Sequence, residues 1–123
     1  MPETALVPHA HAASALGALG HEARLAIFRA LVRAGDAGLP VHRIQERLGG
    51  MPRSTLAHHL QALVLAGLVK QDKVGAEVVN HADFGIMRAL VLYLSAECCA
   101  DDCGPLSAEA GVPRRGEANL TIH

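Results

Sequence analysis

Apolar residues recur at helical spacing through most of the chain, separated into segments by Gly and Pro residues. Residues 10–19 and 21–33 form the first two predicted helices, with Gly20 between them. Asp83 suits the N-cap of a last helix. The broad apolar face of that last helix comprises Phe84, Met87, Leu90, Val91 and Leu94.

Two shorter helices lie between these segments. Pro40 and Pro52 each suit the first turn of a helix, and the glycines at Gly49 and Gly67 end the two periodic stretches. Two short helices joined by a tight glycine-containing turn are the sequence outline of a helix-turn-helix, in which the second helix enters the DNA major groove.

The period then changes to that of extended chain. Residues 68–72 and 76–80 are short strand candidates that flank Lys73-Val74-Gly75, which predicts a β-hairpin with a basic tip. The predicted fold class is therefore mostly α with a small β-hairpin wing, a winged helix-turn-helix.

A chain of 123 residues is one domain by size. We expect a flexible arm over residues 1–9, the folded domain over 10–103 and a flexible tail over 104–123. No apolar run is long enough to span a membrane, and no secretory leader is evident, so we expect a cytoplasmic protein without a membrane partner.

The charge is unevenly distributed, although the whole chain carries a formal net charge of only −1. Residues 41–73 hold five basic and two acidic residues, a net charge of +3, whereas residues 95–103 hold three acidic residues and no basic one, a net charge of −3. This segregation predicts two different working surfaces, one of which faces nucleic acid.

The second predicted helix of the pair and the hairpin supply the candidates for contact with double-stranded DNA. Ser54 and Thr55 fall in the first turn, where free backbone amides favour a phosphate. Arg53 suits a phosphate or a guanine edge, and Gln61 suits an adenine. Packing within the protein is the competing interpretation for one of the histidines, His59. The DNA-contact candidates are Arg53, Ser54, Thr55, His58, His59, Gln61 and Lys73.

All three cysteines of the chain, Cys98, Cys99 and Cys103, lie within six residues. An odd number of thiols in a reducing compartment argues against a disulfide framework and for a metal, metalloid or redox site. If the last helix continues through them, Cys99 and Cys103 stand on one face with Cys98 beside them.

Several chemistries suit these thiols. Trivalent arsenic or antimony takes three sulfurs and no fourth ligand, which matches the count, and an organoarsenical needs only two. Structural zinc prefers four ligands, for which Asp101 or Asp102 would have to serve. A redox or persulfide sensor is the competitor, although acidic neighbours disfavour reactive thiolates. An accidental cluster is the remaining alternative. No motif indicates an enzyme or an organic cofactor.

The order of elements resembles the ArsR/SmtB family of winged-helix repressors. The likeness lies in ALGHEARLAIFRAL at 18–31, MPRSTLAHHLQALVLAGLV at 51–69 and KVG at 73–75. The resemblance implies a homodimer joined through the first and last helices. It also implies repression of the protein's own resistance operon, with an inducer that releases operator DNA.

Two departures from the family decide where the inducer binds. Pro40-Val41-His42 stands where the best-known arsenic sensors carry Cys-Val-Cys, and no histidine occurs between Phe84 and Cys103 for a zinc site of the family's type. The sequence therefore predicts a repressor that leaves DNA when trivalent arsenic or antimony binds Cys98, Cys99 and Cys103. A thiol-redox, persulfide or other soft-metal response on the same fold is the alternative.

Overall fold

The computed structural model of the chain describes residues 7–102, which form five helices and a three-stranded antiparallel sheet. This architecture confirms the predicted winged helix-turn-helix fold, whereas the dimer stays a prediction. The elements in chain order are α1 (His9–Leu19), α2 (Glu22–Ala34), β1 (Leu39–Pro40), α3 (Val41–Arg47), α4 (Arg53–Leu65), β2 (Val69–Val74), β3 (Glu77–Ala82) and α5 (Phe84–Ser95), with a 3₁₀ turn at Gly35–Ala37.

Aliphatic side chains from every helix build the core. Each helix places apolar residues three or four positions apart on its inner side, and burial of these side chains is the main stabilising contribution. The helix-turn-helix pair packs on α2 through residues that are fully or almost fully buried: Ile27, Leu31, Ile44, Leu56, Leu60 and Leu63.

The turn between α3 and α4 is fixed by hydrogen bonds within the chain. The amide of Gly50 donates to the carbonyl of Gln45 at 2.8 Å, and the Gln45 side chain donates from Nε2 to the carbonyl of Met51 at 3.0 Å. Gln45 thus bonds to both sides of the turn, which holds α4 in a defined orientation to α3.

The sheet differs from the prediction in two ways. Strand β2 runs two residues further toward the tip than predicted, and β3 begins one residue later, so that Val74 pairs with Glu77 across a two-residue turn in which Gly75 has a φ of +66°. A primed turn of this kind requires positive φ, which glycine adopts without strain. The sheet also contains β1, which the sequence did not predict, on the other side of β3.

The last helix is shorter than predicted. It ends at Ser95, and turns follow from Ala96 to Asp101, so the expectation that the helix carries the cysteines on one face is wrong for Cys98 and Cys99. Ser95 Oγ donates to the carbonyl of Val91 at 2.9 Å, which occupies a last-turn carbonyl group. Acidic side chains are unfavourable at a helix C-terminus, and Glu97 with Asp101 would stand there if the helix continued.

The ends of the chain bear on the domain boundaries. Helix α1 begins at His9, one residue inside the predicted arm. Residues 1–6, Cys103 and the predicted tail over 104–123 lie outside the described residues. Within residues 7–102, no helix combines the length and the hydropathy that crossing a bilayer would need.

Candidate nucleic-acid interface and thiol pair

The first turn of α4 is open to a negatively charged ligand. Pro52 occupies the N-cap position, and no side chain there accepts a hydrogen bond from the first-turn amides. Arg53, Ser54 and Thr55 are exposed around these amides. Unpaired amides and the positive end of the helix dipole favour a phosphate oxygen, and the Arg53 guanidinium adds a full positive charge.

The polar side of α4 continues from this turn. His58 and Gln61 are exposed, while Leu56, Leu60 and Leu63 on the opposite side are buried. The buried stripe fixes the rotation of the helix, so the polar side chains face away from the core. This is the arrangement that a helix needs to contact base edges in a major groove.

A cleft of about 360 Å³ separates α4 from the wing. Arg53 and Gln61 line it from the helix and Gln71 lines it from β2. His42 and Glu77 also line the cleft, with 3.9 Å between Nδ1 and Oε2. Lys73 is exposed two residues along the strand from Gln71 and on the same face, because side chains alternate along a strand. Arg53 thus supplies positive charge on the helix side of the cleft, and Lys73 supplies it further along the wing.

The structure corrects the assignment of His59 to DNA contact. Only 8 % of His59 is exposed, and its Nδ1 accepts a hydrogen bond from Arg24 Nε at 3.3 Å. The ring of His21 lies beside it, with 4.7 Å between centroids. Burial lowers the pKa of His59, and the charges of His21, Arg24 and His58 lower it further. A buried, neutral imidazole that is bonded to α2 contributes to packing and not to recognition.

Several residues around the interface escaped the sequence interpretation. Arg24, Gln71 and Asn80 link elements through side-chain hydrogen bonds. Only one signal was available for His59: its place at helical spacing with Leu56, Leu60 and Leu63. His21 caps α2, since its Nδ1 accepts from the Ala23 amide at 3.2 Å, and Asp83 caps α5 as predicted.

Cys98 and Cys99 are exposed, and their sulfur atoms stand 3.5 Å apart. They lie on the turn after α5, where the Cys98 amide donates to the carbonyl of Ser95 at 3.0 Å and Cys99 has a φ of +62°. Within residues 7–102 no group of three or more His, Cys, Asp or Glu side chains is placed to hold a metal ion. The assignment of Cys98, Cys99 and Cys103 as one ligand set stays a prediction.

Neighbouring groups favour the protonated form of the Cys99 thiol. The hydrogen bond to Cys98 and the charge of that residue raise the pKa of Cys99, and Asp102 raises it by a smaller amount. A protonated thiol is a weak nucleophile toward peroxides and disulfides. The Cys99 thiol is therefore better suited to condensation with a neutral, thiophilic hydroxide than to rapid oxidation.

Helix α5 presents apolar side chains outward in the single chain. Val91, Leu92 and Leu94 are 61 %, 51 % and 65 % exposed, whereas Leu90 is buried. A hydrogen bond between His9 Nδ1 and the hydroxyl of Tyr93 joins the start of α1 to α5. Helix α5 thus exposes apolar side chains on the part of its surface that does not pack on the core.

Comparisons with known proteins agree with this geometry. A family described as "Helix-turn-helix domain" matches residues 19–72, which include α2, α3 and α4. A solved structure of an ArsR-like transcriptional regulator from Rhodococcus sp. RHA1 is similar over 87 % of this chain and 96 % of its own, with 30 % identity and a TM-score of 0.61. No curated protein matches the chain.

Proposed function

Since the chain belongs to the ArsR-like transcriptional regulators and binds DNA through its helix-turn-helix, we propose that it is a homodimeric, cytoplasmic repressor of a resistance operon that trivalent arsenic or antimony releases from its operator. The observation that carries the inducer assignment is the exposed thiol pair of Cys98 and Cys99, 3.5 Å apart, on the turn after α5. Cys103 supplies the third sulfur in this proposal.

The DNA-contact part of the proposal rests on α4 and the wing. Arg53, Ser54 and Thr55 contact phosphate oxygens at the start of α4, His58 and Gln61 face base edges, and Lys73 contacts the backbone from the wing. A dimer would present two such surfaces to an inverted repeat, and the half-site spacing then fixes the distance between the two α4 helices.

The chemistry of capture follows from the state of the thiols. Arsenous acid carries three hydroxyl groups; each thiol replaces one of them, its proton leaves with that hydroxyl as water, and an arsenic–sulfur bond forms without any change of oxidation state. Three thiols thus release three waters. Soft thiolate sulfur is the ligand that thiophilic elements prefer, and the raised pKa of Cys99 does not oppose a reaction that starts from thiols.

The release of DNA requires that capture changes the dimer. The outward apolar side chains of Val91, Leu92 and Leu94 support subunit contact through α5, and the hydrogen bond between His9 and Tyr93 brings α1 next to that helix. Because the cysteines follow the end of α5 directly, closing them around one atom would reorder the turn at the edge of that contact. To act as a switch, the ligand must favour the weakly binding shape by about 1–3 kcal/mol.

A thiol-redox response on the same fold is the second candidate. The short distance between the sulfurs of Cys98 and Cys99 favours it, because two adjacent thiols can form a disulfide or polysulfide. The raised pKa of Cys99 disfavours it. A mass gain of sulfur after persulfide treatment that coincides with the loss of DNA binding would support the redox candidate.

Fluorescence anisotropy with a labelled duplex from the protein's own promoter region tests the proposal. Arsenite should release the wild-type protein and should leave a triple variant with Cys98→Ser, Cys99→Ser and Cys103→Ser on the DNA. Equal release of both proteins would remove the cysteine site. Zinc at the same concentration is the matched control, and release by zinc but not by arsenite would favour a different soft metal.

A further inference from the structure

Asn80 is a fully buried polar residue at the centre of the sheet, with 0 % of its surface exposed. Its Nδ2 donates to the carbonyl oxygen of Leu39 at 3.1 Å, and its Oδ1 accepts from Gln71 Nε2 at 2.7 Å. Both partners are also its cross-strand neighbours, Leu39 on β1 and Gln71 on β2. One buried side chain therefore joins all three strands.

The bond to β1 matters because that strand has little backbone pairing of its own. It contains two residues, Leu39 and Pro40, and proline has no N–H to donate to the ladder. The side chain of Asn80 supplies a hydrogen bond that the short strand cannot provide. Burying a side-chain amide costs free energy unless its groups form hydrogen bonds. The buried amide of Asn80 therefore contributes mainly by fixing the geometry of the strands that it joins.

This link lies between the two parts of the DNA-binding surface. Strand β1 leads directly into α3, since Pro40 is the N-cap of that helix, and α3 is held to α4 by the Gln45 bonds. On the other side, Gln71 lies on the cleft face of β2, two residues before Lys73. Asn80 thus connects the wing to the helix-turn-helix.

We propose that Asn80 is a positioning residue for DNA binding, which holds the wing at the angle where Lys73 and the first turn of α4 contact the DNA backbone together. This inference rests on the DNA-binding function of the chain and does not depend on the identity of the inducer. Without the bond to Leu39, the wing remains a hairpin but loses its fixed relation to α4.

A double-mutant cycle on DNA affinity tests this role. The probe is a labelled duplex that the wild-type protein selects from a random-sequence pool, titrated at several salt concentrations. Each lost phosphate contact lowers the slope of log K against log salt by about 0.9 and weakens binding about fivefold at ~0.15 M salt, per subunit. In the otherwise wild-type protein, Lys73→Ala should cause this full loss of slope. In a protein that already carries Asn80→Ala, the same substitution should change the slope by less than about half as much.

Arg53→Ala is the matched control, because Arg53 belongs to α4 and not to the wing. Arg53→Ala should change the salt slope equally in both backgrounds. A stoichiometric titration determines the fraction of active protein in each sample. Asn80→Ser, which keeps a polar group but is too short to span Leu39 and Gln71, serves if Asn80→Ala does not fold.

The outcomes separate this inference from the proposed function. An equal effect of Lys73→Ala on the slope in both backgrounds would overturn the positioning role. The role would also be overturned if Asn80→Ala reduced the effects of Lys73→Ala and Arg53→Ala equally. If Asn80→Ala reduced the effect of Lys73→Ala and left that of Arg53→Ala unchanged, the result would support the positioning role. If Arg53→Ala also left the wild-type affinity unchanged, the DNA-contact assignment itself would fail.

Discussion

Arg24 Nε donates a hydrogen bond to Nδ1 of the buried His59 across 3.3 Å, and this bond joins α2 to the inner side of α4. The ring nitrogen can accept only while the imidazole is neutral, and burial together with nearby positive charge favours that state by lowering the pKa of His59. The helix that contacts DNA is therefore held in place partly by a group that a proton would disrupt.

The fold should lose stability in mild acid for this reason. Below about pH 6.5 His59 takes up a proton in the unfolded chain but not in the folded one, whose pKa is lowered, and stability rises with pH where the unfolded state binds more protons. Urea unfolding from about pH 8 to about pH 5.5 should show the loss. His59→Gln should flatten this pH dependence relative to wild type; an unchanged profile would mean that other groups cause it.

Gly38 and Gly49 form a matched pair for backbone strain. Both have positive φ, of +68° and +81°, but a Cβ on Gly38 would lie 2.6 Å from the carbonyl oxygen of Asn80 and from the His81 ring, while a Cβ on Gly49 meets nothing within 4 Å. Gly49→Ala should cost about 1–2 kcal/mol of unfolding free energy and Gly38→Ala about 1–3 kcal/mol more. Chemical denaturation measures both; equal costs would contradict the close approach of β1 to β3.

Arg53 should contribute to affinity through phosphate. Arg53→Ala should lower the salt slope of DNA binding by about 0.9 per subunit, because one neutralised phosphate is lost. Arg88→Ala, on the exposed side of α5, is the control for a general change of charge and should leave the slope nearly unchanged. The slopes come from anisotropy titrations at a series of salt concentrations, and identical slopes for both variants would refute a specific contact.

The exposed side chains of α5 should mediate dimer formation. Leu94→Glu should shift the protein toward monomer in sedimentation velocity, since it places a charge on an apolar contact and a carboxylate cannot be buried there without a partner. Leu65→Glu changes a side chain on α4 that is even more exposed, at 77 %, and should leave the dimer intact. A monomeric wild type, or dissociation by both variants, would exclude this surface.

Sequence patterns predicted the long elements but not the features that depend on distant contacts. The apolar stripes of α2 and α4 are local and strong, so both helices were evident. A strand as short as Leu39–Pro40 has no sequence pattern of its own, and only its pairing with Val79 and Asn80 on β3 reveals it. His59 looked polar in sequence, but it shares the helical spacing of Leu56 and Leu63 and is buried with them.

The end of α5 shows the same distinction at the thiols. The four-residue spacing of Cys99 and Cys103 suggested one face of a continued helix, yet the helix stops at Ser95, and Cys98 and Cys99 lie on turns. The acidic residues were visible in the sequence, and their cost at a helix C-terminus was the signal that predicts the stop. The proximity of the sulfur atoms of Cys98 and Cys99 therefore comes from adjacent positions in a turn and not from a helical face.

X-ray absorption at the arsenic edge, on the dimer that arsenite has released from DNA, tests the central claim most directly. We predict one arsenic per subunit bonded to three sulfur atoms, falling to two sulfurs and one oxygen in Cys103→Ser. Arsenic with only oxygen neighbours, or a spectrum that the three cysteine-to-serine changes leave unaltered, would contradict it.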